Sequence, residues 1–205
     1  MTDAQIASTF ALPGLAVSGK AGVGKTTFCR LLAERLDARG AVAARVSFAA
    51  ELKLEVFERY GLRKGQPGWR DRAVAHGAWR RETCGEDYWV RRTMQRIRRA
   101  YAEGYTPLVD DLRLVGELDA VHEHGMVCAR LDAPAHVRAA RLRANGLEPD
   151  AAFSTDPTEC ELDDRDDFAL RIINDDDCTM GDLRGHADRL VREALVALCP
   201  LPAAA

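Results

Sequence analysis

Residues 19 to 26, Gly19-Lys20-Ala21-Gly22-Val23-Gly24-Lys25-Thr26, constrain this chain more than any other stretch. They match G-x-x-x-x-G-K-[ST] in full. They follow the apolar run Leu15 to Ser18 directly and precede apolar residues at helical spacing, Phe28, Leu31, Leu32 and Leu36. A strand, a glycine turn and an amphipathic helix in that order make a β-α unit whose loop turns backbone N–H groups inward. Such a cradle receives phosphate oxygens: the helix N-terminus adds partial positive charge, Lys25 reaches the terminal phosphates, and the Thr26 hydroxyl ligates magnesium. The expected ATP-binding set is therefore Gly19, Lys20, Ala21, Gly22, Val23, Gly24, Lys25, Thr26 and Thr27.

The segments that follow alternate in type. Val42 to Phe48 reads as a second strand, Glu51 to Tyr60 as a helix, and Leu62 to Trp69 as a loop punctuated by Gly65, Pro67 and Gly68. Helices are expected near 70–82 and 87–103, the second with a core stripe of Val90, Met94, Ile97 and Tyr101 and a neighbouring stripe of Arg92, Arg96 and Arg99. Pro107 to Asp110 resembles a buried strand ending in acid, Asp119 to His124 lies in a helix, and Met126 to Leu131 is another strand. A polar stretch from 134 to 167 separates these from a last strand, Phe168 to Ile173, and a helix from Gly181 to Leu198. Strands alternating with helices predict an α/β fold with a central parallel sheet covered on both faces. At 205 residues the chain is expected to be one domain. Magnesium also needs an acid, and Asp110, at the carboxyl end of an apolar strand, is the first choice. Asp111 would either orient a water or the acceptor, or cap the next helix.

Charge narrows the partners. The net charge of -3 is too balanced for nucleic-acid binding by bulk electrostatics, yet residues 59–100 hold twelve basic against four acidic residues and residues 148–182 hold thirteen acids against two arginines. The basic middle either pairs with the acidic part or receives an anion. The six cysteines include no C-x-x-C pair, His122 and His124 are set aside as metal ligands, and no run of 18 apolar residues is present. The N-terminal residues lack a signal-peptide pattern, so the expectation is a cytoplasmic protein with no membrane and no nucleic-acid partner, with a homodimer left open.

Partition-type ATPases have a similar loop but carry an aspartate at the end of the second strand, where this chain reads Arg45-Val46-Ser47-Phe48. A GTPase would need a lysine after the asparagine of Asn174-Asp175-Asp176-Asp177. The remaining blocks resemble the bacteriophage deoxynucleoside monophosphate kinase family, which shares the P-loop kinase fold of adenylate kinase. Phe48-Ala49-Ala50-Glu51-Leu52-Lys53 is similar to its F-A-D-x-L-K, and His76-Gly77 with Arg81 and Asp87-Tyr88-Trp89 is similar to its G-x-x-x-R-x(5)-D-x-W. Asp110-Asp111-Leu112-Arg113 with Glu117 is similar in part to its D-D-x-R-F-x-N-E, and Glu159, Leu162, Asp163 and Asn174 are similar to its E-x-x-L-D followed by an isoleucine-rich strand and asparagine. Ala50, Leu114 and Gly116 depart from the family's residues.

The resemblance implies a three-layer αβα sandwich, adenylate-kinase-like, with core segments 14–48, 106–133 and 168–198, a helical monophosphate-binding insertion over 49–105 and a lid over 134–167. It implies transfer of the γ-phosphate of ATP, with Mg2+, to a deoxynucleoside monophosphate. Lys53, Arg81 and Arg113 would grip the acceptor's phosphate, Asp87 and Trp89 would meet its base, and Arg138 and Arg141 of the lid would join Lys25 at the transferred group. Two alternatives stay open: a related small-molecule kinase of the phosphomevalonate kinase kind, and a nucleotide-switched DNA-binding ATPase.

Overall fold

The computed structural model describes residues 11–150 and 157–198. Five strands, β1 (Leu15–Ser18), β2 (Ala43–Val46), β3 (Thr106–Leu112), β4 (Val127–Asp132) and β5 (Leu170–Ile173), form one sheet in the order β2-β3-β1-β4-β5. Every pairing is parallel; Leu15 lies opposite Leu108 on one side and Val127 on the other. The strand that feeds the glycine loop is therefore the central one, and its four residues are fully buried. A short apolar run with no polar alternation is what a strand covered on both faces requires.

Helices α1 (Lys25–Asp37) and α8 (Met180–Leu198) cover one face. There Phe28, Leu31, Leu32 and Leu36 pack with Leu15, Val17, Leu131, Ile172, Leu190 and Val191. Burying each such side chain contributes roughly 1.5–3 kcal/mol, which is why the helical spacing of the α1 residues decides where that helix lies. The other face takes α4 (Tyr88–Ala102) and α5 (Val115–Glu123), through Met94, Ile97, Leu118 and Val121 against Ala16, Val109 and Cys128. The expected stripe on α4 does face the core, with Val90 and Tyr101 packed at its ends. The arginines beside it take carboxylates: Arg92 and Arg96 share the buried Glu51, and Arg99 pairs with Glu103.

The second strand is shorter than its sequence implies, and helix α2 (Phe48–Tyr60) starts three residues earlier than Glu51. The cause is Asp111. Its carboxylate accepts from Ser47 Oγ (2.6 Å), Phe48 N (2.9 Å) and Ala49 N (3.0 Å), capturing the chain as it leaves the sheet and satisfying two donors that a helix start leaves open. Helix α3 (Trp69–Cys84) buries only Ala73, His76 and Gly77 and leans on a polar hub. Glu55 accepts from Arg80 Nε and Tyr88 Oη, both at 2.6 Å, and lies 2.8 Å from His76 Nε2. The rings of Tyr60, Trp79 and Trp89 surround that histidine. One buried carboxylate thus ties α2, α3 and α4 into a unit between β2 and β3.

Helix α6 (Ala135–Ala144) follows β4, and the short α7 (Pro157–Cys160) stands before β5. No helix among the described residues is long and apolar enough to cross a membrane.

Candidate functional site

The glycine loop leaves β1 at the carboxyl end of the sheet. Gly19, Gly22 and Gly24 have φ of 142°, 81° and 97°, a region side chains rarely adopt. At Gly22 space is also closed: a Cβ there would lie 2.7 Å from the Arg138 carbonyl oxygen. The motif glycines therefore do two jobs, curling the loop and letting α6 rest on it.

Lys25, the first residue of α1, folds back into the loop and donates to the carbonyl oxygens of Gly19 and, at 3.0 Å, Lys20. Loss of water around the ammonium, followed by repulsion from Arg113, lowers its pKa to about 8, while Glu159 and Asp110 pull the other way. A phosphate chain fits the cradle on these grounds: a glycine turn with three positive-φ residues, a helix start, and a dehydrated cation folded into the turn.

The two acids at the end of β3 divide the work. Asp111 spends both oxygens on the start of α2, whereas Asp110 is met by the Arg45 guanidinium at Oδ2. Asp110 is buried, close enough to Lys25 to affect its charge, and α1 presents Thr26 exposed at its first turn. A carboxylate and a hydroxyl beside a phosphate site are the oxygen donors a hard divalent cation takes, so the residues present fit magnesium, with Asp110 and not Asp111 as the available acid.

On the α6 side, Arg138 is buried and donates through Nε to the Ala133 carbonyl (3.1 Å) and, weakly, through Nη1 to that of Ala21 (3.4 Å). Arg141, one turn on, donates to the carbonyls of Asn174 (2.8 Å) and Asp175 (3.1 Å). Asn174 in turn donates from Nδ2 to Val23 O at 2.7 Å. The α6 helix, the loop after β5 and the glycine loop are thus joined through backbone carbonyls. Beside them lies a cavity of about 650 Å3, lined by Gly22 to Thr27, Arg141, Leu147, Asn174 and the apolar Met180 and Leu183. It is large enough for a nucleoside.

Arg113 reaches the loop from the opposite side. Its guanidinium bonds Glu159 Oε1, and Glu159 Oε2 accepts from Ala21 N at 3.2 Å. One turn further, Asp163 accepts from Lys20 Nζ at 2.6 Å and from Arg130 Nη2 at 2.5 Å. The basic loop and the acidic 159–163 segment are therefore in direct contact.

The remaining residues singled out from sequence lie on the helical insertion. Lys53 is half-buried on α2. Arg81, in the last turn of α3, lies within 4 Å of a Cβ at Gly77, with Leu52 of α2 equally close, and its nearest acid is Glu86 at 3.9 Å. Asp87 is exposed and paired with Arg91. Trp89 donates its indole N–H to the Gly77 carbonyl (3.3 Å) and packs edge-on against Tyr88, so its ring helps hold α4 to α3. Arg45 and Arg130, both in contact with site acids, were not singled out. Isolated arginines on strands carry no spacing signal. Of the lid expected over 134–167, residues 151–156 lie outside the described residues.

A central β1, its glycine loop and the flanking helices define a P-loop α/β fold. No protein-family model matches the sequence, and no curated protein matches it. Among solved structures, the fold is shared with the tunicamycin resistance protein of Deinococcus radiodurans (20% identity, 89% of this chain and 95% of that one, TM-score 0.54). It is shared also with the APS kinase of Mycobacterium tuberculosis, solved with AMPPNP and APS (15% identity, 92% and 98% covered, TM-score 0.51). A Thermus thermophilus protein matches at 16% identity, with 89% and 98% covered and a TM-score of 0.58.

Proposed function

We propose that the chain is a kinase that moves the γ-phosphate of ATP to a deoxynucleoside 5'-monophosphate, giving ADP and the diphosphate. The observation that carries this reading is the convergence of Lys25 and Arg113 on one spot at the mouth of the glycine loop, with an anion, the Glu159 carboxylate, between Arg113 and the Ala21 amide. Two phosphate groups brought end to end need cations from both sides. Lys25 would serve the donor and Arg113 the acceptor, whose two oxygens suit a planar guanidinium.

In this reading the donor's nucleoside occupies the cavity by Leu147, Met180 and Asn174, and its phosphates follow the loop to Lys25. Magnesium, held by Thr26 and Asp110, would neutralise charge on the donor's outer phosphates. Arg138 and Arg141 of α6, beside the loop, would turn from their backbone carbonyls to the transferred group. Their closure excludes water that would otherwise take the phosphoryl group. Lys53 and Arg81, on the helical insertion, would join Arg113 at the acceptor's phosphate, and Asp87 and Trp89 are the remaining candidates for the base.

Purified protein with ATP, Mg2+ and each deoxynucleoside monophosphate in turn should release ADP only when an acceptor is present. Lys25→Met should reduce that release by at least about a hundredfold, since one fixed charge at a developing anion supplies a few kcal/mol. Equal release without acceptor rejects the reading. A second reading, a kinase for another small phosphorylated molecule, draws on the fold shared with the APS kinase. Adding APS and phosphomonoesters without a base to the panel separates the two.

A further inference from the structure

Resting on the proposed function, we infer that the Glu159 carboxylate occupies the subsite of the acceptor's phosphate, as an internal anion that the acceptor displaces. Glu159 is only 14% exposed at its side chain, and its oxygens take the two donors that a phosphate at this point would use, the Arg113 guanidinium and the Ala21 amide. Carboxylate and phosphate present the same paired oxygens to an arginine fork, so each can replace the other there, and both cannot fit.

The residues around Glu159 show what it adds. Two positions on, Glu161 accepts from Val115 N and only ties the segment to α5. Leu162 is buried in the core against the α4 face, and Asp163 is fixed by Lys20 and Arg130. The segment is thus anchored just after α7 by an apolar side chain and two ion pairs. Glu159 stands before that anchor, in a helix of four residues. It can leave the loop without pulling the anchor out of the core. With Glu159 gone and no acceptor in place, Arg113 and Lys25 would face one another without an anion between them. The carboxylate therefore holds the Arg113 guanidinium in position until the substrate arrives and offsets part of its repulsion of Lys25, which the Gly19 and Lys20 carbonyls already hold.

The test is calorimetry on the full chain saturated with MgADP and titrated with inorganic phosphate as the probe. Because apparent affinity falls by the fraction of molecules in the competent state, a site closed in about nine molecules of ten gains about tenfold in phosphate affinity in E159Q, and R113Q abolishes the gain. E161Q should bind phosphate as wild type does. Equal or weaker phosphate binding by E159Q overturns the inference. If E159Q fails to fold, amide hydrogen exchange over 157–164 in wild type decides: phosphate added to the MgADP complex should accelerate it, and unchanged exchange overturns the inference. Neither measurement needs turnover. Tightening by E159Q alongside a failed monophosphate panel keeps the displaced carboxylate and rejects the nucleotide acceptor; a successful panel without tightening does the reverse.

Discussion

Saturating the glycine loop with ADP at pH 9 should draw about 0.9 proton per chain from the buffer. Dehydration and the nearby Arg113 hold Lys25 at about 8, so its ammonium form makes up about 9% of the ligand-free protein at pH 9, half at pH 8 and about 90% at pH 7. Phosphate oxygens beside Nζ supply the missing opposite charge and return the group to its ordinary range, near 10.5. The uptake is the difference: about 0.9 proton at pH 9, 0.5 at pH 8 and 0.1 at pH 7. Titration calorimetry in buffers of different ionisation enthalpy reads this number as a slope. A slope of zero at pH 9, or one that survives Lys25→Met, refutes the assignment. The same shift acts on folding. Between about 8 and 10.5 the unfolded chain holds a proton that the fold has released, so the Lys25 contribution to the ligand-free protein's stability rises with pH across that window.

Burial raises Glu117 to about 7 even though the Arg113 and Leu114 amides donate to it. Its contribution is complete below the unfolded value of 4.5 and is lost as pH rises through 7, so E117Q should gain about 1–3 kcal/mol over wild type at pH 8.5 and little at pH 5. Urea unfolding at the two pH values tests this, and equal differences would uncouple the residue from ionisation. Gly22→Ala adds a Cβ 2.7 Å from the Arg138 carbonyl at a positive φ, whereas Gly125→Ala has a positive φ but open space. Both should lose about 1 kcal/mol to backbone strain, and G22A alone should weaken ADP binding, by about tenfold or more; indistinguishable ADP affinities would mean that the close approach of α6 does not matter.

The features legible in the sequence are those whose physics is local. The glycine loop, the apolar β1 and the 3.6-residue spacing of Phe28, Leu31, Leu32 and Leu36 each carry their own instruction, and the order of strands and helices then dictates a parallel sheet. The end of β2 was not legible, because Ser47 and Phe48 leave the sheet for a carboxylate more than sixty positions away. The role of Asp111 stayed open in sequence for the same reason. Thirteen acids lie between residues 148 and 182, and nothing in their order marks Glu159 as the one that meets Arg113 and the loop. Trp89 was read from its neighbours in a motif, yet its indole is engaged by Gly77, a choice made by how α3 and α4 cross. Ion pairs between distant segments follow from the path of the chain, which residue spacing alone does not encode.

Because β1 is the middle strand, the loop it feeds has one flank built by β2, β3 and the helices between them, and another built by β4, β5 and α6. Under the proposed function the first flank selects the receiving molecule and the second grips the giving one. A lineage could thus recruit a new receiver by rewriting the helices between β2 and β3 while leaving the energy-supplying half untouched. The shared scaffold would then persist long after sequence similarity between its bearers had faded.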